Sequence, residues 1–291
     1  MYDTIVVGSG IFGSVIAAHL RAGRQRVLVV GDDRPDSGSR PAGCIIKPSW
    51  VSSLNAEEYD RGIELLNDLY GVRTIFFSLR PKLGHTEAQH VNPLAILRGC
   101  TAHTNFRAGR VAGVDETDDG ITIAVRNGNK GSVYGARHLV VAAGIWTPEL
   151  CPWVQTKAQY GWSFRGPPVK EAVISLWAPY RQVVAFNMDD GRSWSGDGSA
   201  LIERSATEEK RIASLNRCAK VIGVGKGEPI PHWPAAYNVQ STRGARPYAE
   251  TGGKPCLISR RGSVWAVTGG AKNGTIAAAW AARELEREMR L

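Results

Sequence analysis

Short apolar runs alternate with an amphipathic segment over the first thirty residues. Residues 4–7 (TIVV) are mostly β-branched and apolar, which is typical of a strand buried on both faces of a parallel sheet. Residues 15–20 place apolar side chains at helical spacing, and Gly23 follows them as a helix stop. Residues 26–30 (RVLVV) form a second strand-like run. The pattern predicts a β-α-β unit.

Glycines occupy the turn between the first strand and the helix, in the segment GSGIFG at positions 8–13. Gly8 permits a tight turn, Gly10 lets a pyrophosphate approach the backbone, and Gly13 lets the helix pack close to the strand. The helix N-terminus offers N–H groups and the positive end of its dipole to phosphates. Because the turn lies between two strand-like runs, it predicts dinucleotide binding.

The acid that holds the adenosine ribose in such units usually closes the second strand. Gly31 occupies that position here, and Asp32 and Asp33 follow it. Asp32 is therefore the candidate for the ribose hydroxyls. The alternative is that both aspartates form a turn before Pro35.

Strand-like runs and two helices follow in the rest of the chain. Residues 111–114, 121–125 and 136–144 predict a three-stranded meander whose last strand is buried and ends in Ala-Ala-Gly. Residues 55–70 predict a helix that is capped by Asn55 and Glu58 and stopped at Gly71. Residues 156–239 predict a small sheet, with strands at 173–177 and 182–186, and one helix that starts at a capping box, residues 205–208.

These elements resemble the FAD-dependent D-amino-acid oxidase family, which includes glycine and sarcosine oxidases. The meander with its closing Ala-x-Gly is one shared feature, and the loop SGSRPAGC at 37–44 is another. Two more lie near the end of the chain, the segment GARP at 244–247 and the glycine-rich segment TGGAKNGT at 268–275. The resemblance covers roughly residues 1–50, 100–150 and 240–291 and is poor between them.

The resemblance implies an α/β fold with a Rossmann-type, glutathione-reductase-like FAD-binding domain and a small, trimmed α+β substrate domain. The FAD-binding domain would be discontinuous, formed by residues 1–80, 95–155 and 240–291, and the substrate domain would comprise 156–239, alone or together with 81–94. FAD, held without a covalent bond, is the implied cofactor. The residues expected to contact it are Gly8, Gly10, Ile11, Phe12, Gly13, Asp32, Ser39, Arg40, Gly43, Cys44, Val111, Ala143, Gly144, Gly270, Lys272, Asn273, Gly274 and Thr275.

In this family a hydride passes from the carbon alpha to an amine onto the flavin, and the resulting imine hydrolyses. The arginine of the G-x-R-P segment grips the substrate carboxylate, because a guanidinium binds a carboxylate with two hydrogen bonds. Arg246 takes that position, and Lys272 takes the position of a cation beside the flavin. The alternatives are a structural ion pair for Arg246 and a solvated loop charge for Lys272.

Positive charge is concentrated in the second half of the chain. The formal net charge is +9, and residues 151–291 carry 20 basic and 12 acidic residues together with seven of the nine tryptophans. In this half Trp162, Trp177 and Trp194 alternate with arginines that would contact nucleic acid, namely Arg165, Arg181 and Arg192. An excess confined to one half indicates a polyanionic partner. The alternative is a basic surface without a partner.

Three functions follow from these features. The first is oxidation of an N-substituted glycine carried on a modified pyrimidine in DNA or RNA, which releases glyoxylate and leaves an aminomethyl base; one family member acts in this way on transfer RNA. The second is oxidation of free glycine, sarcosine or a D-amino acid by dioxygen. The third is a redox-inactive flavoprotein subunit.

Composition excludes several classes of protein. With 43% hydrophobic and 22% charged residues, the chain can bury a large core and is not intrinsically disordered. It has no apolar run of transmembrane length and no signal peptide, so we expect a cytoplasmic protein without a membrane partner. The five cysteines are scattered and the histidines show no ligand spacing, so neither disulfides nor a metal site is expected.

Overall fold

The first strand, β1 (Tyr2–Val7), lies inside a sheet whose two faces are both covered. Val6 packs with Val29 among helices on one face. Ile5 and Val7 pack with residues of the meander on the other face. Because successive side chains of a strand point to opposite faces, both sets of positions must be apolar. This is the doubly buried strand that residues 4–7 predict.

The computed structural model describes residues 1–32, 34, 37–39, 42–80, 84–103, 105–118, 120–178, 181–197, 208–222 and 240–289. Numbered in chain order, the strands that join β1 in one sheet are β2 (Val27–Gly31), β6 (Asn105–Ala108), β7 (Arg110–Thr117), β8 (Gly120–Asn127), β9 (Lys130–Val141), β15 (Leu257–Arg261) and β16 (Val264–Thr268). The strand order is β15-β16-β9-β1-β2-β6, and β7 and β8 continue the sheet from β9 as the predicted antiparallel meander. The pairs among β16, β9, β1, β2 and β6 are parallel.

Helices cover one face of this sheet. They are α1 (Ile11–Ala22), α2 (Ala56–Tyr70), α3 (Pro93–His103) and, at the end of the chain, α6 (Gly274–Met289). The predicted cap of α2 is confirmed, because Glu58 N–H donates to Asn55 Oδ1 at 2.9 Å and Asn55 N–H donates to Glu58 Oε2 at 3.1 Å. Helix α2 stops at Gly71, which has a φ of +75°. The sequence pattern did not predict α3.

The strands of the second sheet are β3 (Ile45–Ile46), β4 (Arg73–Arg80), β5 (His85–His90), β10 (Lys157–Gly166), β11 (Val173–Ala178), β12 (Arg181–Asn187), β13 (Ser193–Gly196) and β14 (Gln240–Tyr248). Their order is β14-β10-β13-β12-β11-β4-β5-β3.

Two helices lie outside the group that covers the first sheet. Helix α4 (Thr147–Leu150) is a short turn after the first sheet, and α5 (Glu208–Ile222) packs against the second. Leu215, Cys218 and Ala219 of α5 contact Trp162 and Phe164 of β10. The predicted capping residues 205–207 lie outside the described residues.

Sheet membership differs from the predicted domain boundaries. The prediction placed residues 1–80 and 240–291 with the cofactor, but β4 pairs with β11 and β14 pairs with β10 in the second sheet. Strand β3 also joins this sheet, through β5. The chain therefore passes between the sheets more often than predicted, and the second sheet is larger than the small, trimmed one expected. The division into two functional domains stays a prediction.

Three further observations concern the described residues alone. None of their helices combines the length and apolarity needed to cross a bilayer. They also contain no group of three or more His, Cys, Asp or Glu side chains arranged to hold a metal ion. All five cysteines are buried and unbridged.

Candidate active site

The turn after β1 requires glycine at two positions. Gly8 has a φ of +115°, and a Cβ atom there would lie 2.3 Å from the carbonyl oxygen of Ala142. A Cβ atom at Gly13 would lie 1.7 Å from the carbonyl oxygen of Gly8. These contacts involve backbone atoms, which have little room to shift. The turn therefore brings the N-terminus of α1 close to the ends of β1 and β9, as the glycine spacing predicts.

The predicted loop at 37–44 lies against this turn. The Ser39 hydroxyl accepts a hydrogen bond from the N–H of Ile11 at 2.9 Å, and a Cβ atom at Gly10 would lie 2.8 Å from the same oxygen. Cys44 is buried with a φ of +47°, and burial raises the pKa of its thiol to about 12, although Thr275 hydrogen-bonds it. Such a thiol is inert at neutral pH. Arg40 lies outside the described residues.

Two glycine-rich segments from distant parts of the chain meet beside α1. Thr268 Oγ1 donates to the carbonyl of Gly144 at 3.2 Å, which links the end of the meander to the last loop. Asn273 Nδ2 donates to the carbonyl of Trp50 at 2.7 Å. Helix α6 begins at Gly274, so its first N–H groups lie at this junction. The side chain of Lys272 lies outside the described part of the structure.

A cavity of about 1130 Å³ connects these elements to the second sheet. This volume exceeds the range of about 300–1,000 Å³ that is usual for small-molecule pockets. Gly13 does not line the cavity, since its contact is with the strand. The predicted residues that do line it are Gly8, Gly10, Ile11, Phe12, Asp32, Ser39, Gly43, Cys44, Val111, Ala143, Gly144, Arg246, Gly270, Asn273, Gly274 and Thr275.

Arg246 lies on β14, opposite Gln159 of β10, and faces the cavity. Burial lowers the pKa of its guanidinium, whereas the charge of Asp197 acts in the opposite direction. The Asp197 carboxylate is itself buried and accepts hydrogen bonds from Arg217 of α5. A bridge between Ser37 and Ala245 ties this part of β14 to the loop at 37–44. The arrangement places a half-buried cation at the end of the cavity formed by the second sheet.

Several cavity residues were not among those expected to contact the cofactor, although Trp162 and Trp194 were named as part of a nucleic-acid surface. Trp194 reaches the cavity from β13, and its ring would be only 2.9 Å from a Cβ atom at Gly43. Trp146 follows the Ala-Ala-Gly segment directly, which is a signal that could have identified it. The others come from separate strands and loops that only folding brings together: Ser9, Gly31, Arg34, Trp50, Arg110, Arg126, Glu149, Trp162, Ser163, Gln182, Val184 and Gly196.

Of the arginines proposed to contact nucleic acid, Arg165 and Arg192 do not line the cavity. Arg165 pairs with Asp190 at 2.8 Å, and a guanidinium nitrogen of Arg192 donates to the carbonyl of Arg165 at 3.3 Å. Trp162 is buried in the core under α5. The side chain of Arg181 lies outside the described residues. The described side chains thus supply ion pairs and core packing at these positions, and nucleic-acid binding stays a hypothesis.

Comparison with solved structures shows the fold. The structure resembles glycine oxidase from Bacillus cereus, with a TM-score of 0.70 and 13% identity over 100% of this chain and 95% of that one. It resembles L-proline dehydrogenase from P. horikoshii, with a TM-score of 0.73 and 15% identity over 99% and 93%. This chain has the fold of these enzymes. The predicted α/β fold class is therefore confirmed.

A third solved structure, glycerol-3-phosphate dehydrogenase from Bacillus halodurans, was obtained in complex with FAD. Its TM-score is 0.67 and its identity 14%, over 100% of this chain and 65% of that one. No protein-family model and no curated protein matches the sequence. The likeness to known proteins therefore lies in the three-dimensional structure.

Proposed function

We propose that this protein is an FAD-dependent oxidoreductase that oxidises the C–N bond of a small amino or imino acid. The observation that carries the proposal is a single cavity that joins the glycine turn after β1 to Arg246. It occurs in a fold shared with glycine oxidase and L-proline dehydrogenase. One end of the cavity suits a dinucleotide, and the other presents a cation to a carboxylate.

The residues at the turn fit a dinucleotide. Side chains at Gly8 or Gly13 would collide with backbone, and a Cβ atom at Gly31 would lie 2.4 Å from Ser9 Oγ, so the backbone itself forms the floor. The N-terminus of α1 would hold the pyrophosphate through its N–H groups. The N-terminus of α6 would face the flavin ring, where the helix dipole favours negative charge on the reduced ring.

When bound, FAD would supply the hydride acceptor, and the protein would supply position and electrostatics. Arg246 would bind the substrate carboxylate with two hydrogen bonds and so fix the carbon that loses the hydride. Because this guanidinium is partly removed from water, its attraction for a carboxylate is stronger than at a surface. Val184 and Trp194 would exclude water from the reacting atoms. Lys272 stays a candidate for the second cation beside the flavin.

A free amino acid is favoured over an amine carried on nucleic acid. Arg165 is paired with Asp190, and Arg192 hydrogen-bonds a backbone carbonyl, so a phosphate would compete with contacts that already exist. Trp162 is buried and Trp194 packs against Gly43, whereas stacking of extruded bases needs accessible aromatic faces. On this proposal the excess positive charge of the second half forms a basic surface without a partner.

An anaerobic titration of the FAD-loaded protein tests the proposal. Glycine, sarcosine, proline and an oligonucleotide bearing an aminomethyl-type pyrimidine are added separately, and flavin absorbance is followed. We expect bleaching by at least one free amino acid and none by the oligonucleotide. Bleaching by the oligonucleotide alone would establish the nucleic-acid function instead. A protein that binds no FAD would contradict both.

A further inference from the structure

Charged side chains from three separate segments close the end of the cavity beyond β2. Arg34 Nε donates to Asp32 Oδ2 at 2.9 Å, and its terminal nitrogens lie 3.4 and 3.5 Å from the two carboxylate oxygens of Glu149. Arg110 also donates to Glu149, at 2.8 Å. All four residues line the cavity. The edge donors of the Arg34 guanidinium are therefore held by two carboxylates.

An indole ring packs against one face of the same guanidinium. The Cζ atom of Arg34 lies 4.6 Å from the centroid of Trp146. Burial disfavours the charge, but hydrogen bonds to Asp32 and Glu149 raise the pKa of Arg34, so it stays cationic. Only 20% of its side chain is exposed, although it lines the cavity. Its edges and one face are thus occupied, so a flat ring entering the cavity can stack only on the second face.

Asp32, predicted to hold the ribose hydroxyls, is one of these two carboxylates. Its Oδ2 accepts from Arg34, so the two residues are held together, and the ribose role of Asp32 stays a prediction. A planar guanidinium that is weakly hydrated and held in place is suited to stacking on a flat aromatic ring. We propose that Arg34 is the platform on which the adenine ring of the dinucleotide stacks, with Trp146 behind it. The proposal rests on the dinucleotide binding that the proposed function requires.

Stacking on Arg34 would strengthen the binding of ligands that carry the adenine base and not of ligands that lack it. The experiment measures this difference. Binding of ADP and of ribose 5-diphosphate, which lacks the base, is measured by calorimetry on the cofactor-free protein. The wild-type protein should prefer ADP. Arg34→Lys keeps the charge but lacks the flat face, so it should weaken ADP binding by about tenfold and leave ribose 5-diphosphate nearly unchanged. Arg34→Met should do the same.

Two variants of Trp146 and one control variant keep the test decisive if Arg34→Met does not fold. Trp146→Ala removes the support behind Arg34 and should lower the preference for ADP severalfold, whereas Trp146→Phe should retain most of it. Arg107→Met alters an exposed arginine that does not line the cavity, and it should bind both ligands like the wild type. Equal ADP affinity in Arg34→Lys and wild type would show that charge acts here without stacking, and would overturn the proposal.

Different results would contradict the proposed function and the role of Arg34. A wild-type protein that binds neither FAD nor ADP contradicts the proposed function. A wild-type protein that binds FAD, with an ADP preference that survives in Arg34→Lys and Trp146→Ala, contradicts only the role of Arg34.

Discussion

The two ends of the cavity are built from different materials. At the end proposed for the cofactor, the floor is backbone at Gly8, Gly10 and Gly31, although charged side chains around Arg34 line the cavity beyond β2. The substrate end is formed by side chains, among them Arg246 and Trp194, that project from strands of the second sheet. A site made of backbone allows few residue types at each position. A site made of side chains can be altered one residue at a time, so its specificity can change while the fold is kept.

The largest effect should follow from Gly13→Ala. Its Cβ atom would lie 1.7 Å from the carbonyl oxygen of Gly8, so α1 would have to move away from β1. We expect FAD binding to be lost and the free energy of unfolding to fall by about 3 kcal/mol or more. Urea denaturation and FAD titration measure the two effects. Gly113→Ala is the matched control, because its Cβ atom would have no neighbour within 4 Å.

At the substrate end, Arg246→Met should separate cofactor binding from substrate binding. The variant should retain FAD and lose about 2–5 kcal/mol of substrate binding, seen as a higher substrate concentration for half-maximal flavin reduction. Arg61→Met, on the exposed face of α2 where Arg61 pairs with Glu57, serves as the control. Unchanged reduction by Arg246→Met would mean that another group binds the carboxylate, and Lys272 would be examined next.

Acid should lower the free energy of unfolding through a buried histidine of the second sheet. His90 of β5 is buried, and Arg73 Nε donates to its Nδ1 at 3.0 Å. Burial and the nearby Arg73 charge lower the pKa of His90 to about 4. The unfolded histidine binds its proton near pH 6.5, so stability should fall between about pH 6.5 and pH 4. In His90→Gln the slope of unfolding free energy against pH should be smaller over this interval; an identical slope would contradict the assignment.

A smaller effect of the same kind is expected in the first sheet. Arg26 donates to Asp3 through its backbone N–H at 2.8 Å and its side chain at 3.0 Å. These hydrogen bonds lower the pKa of Asp3 to about 2 from an ordinary 3.8. The stabilisation is therefore present above about pH 4 and is lost as the pH falls toward 2. Solvent screens the pair, so Asp3→Asn should lower stability only slightly at pH 7 and not at pH 2.

The fold was largely predictable because its signals are local. The strand at 4–7, the glycine turn, the cap at Asn55 and the three runs of the meander each lie within a few residues of sequence, and each was found. Helix α3 was missed because its apolar residues do not form a clear stripe. The membership of β4 and β14 in the second sheet was missed because pairing partners far apart in sequence leave no local signal.

At the candidate site, too, residues with a local sequence signal were found and residues placed by long-range contacts were missed. Residues in glycine-rich segments, such as Gly8, Ser39 and Gly270, were placed at the cavity by spacing and resemblance. Trp194 and Gln182 were not, because a strand residue does not record which neighbour its side chain will face. The excess of positive charge in residues 151–291 was interpreted as a surface for a polyanion. Whether such charges can bind a polyanion depends on where each one lies and on what it is paired with. Arg165 and Arg217 are paired with Asp190 and Asp197.

The sequence by itself determined where the backbone must bend and which segments must be buried, because glycine conformations and apolar periods act over short distances. It therefore determined the β-α-β unit and the glycine turn, whereas the candidate Arg246 came from the family resemblance. Only the tertiary structure decided that Asp32 is held by Arg34, that Arg34 packs on Trp146, and that one cavity unites both sheets. These contacts join residues up to a hundred or more positions apart, and their energies depend on geometry that arises only when the sheets assemble.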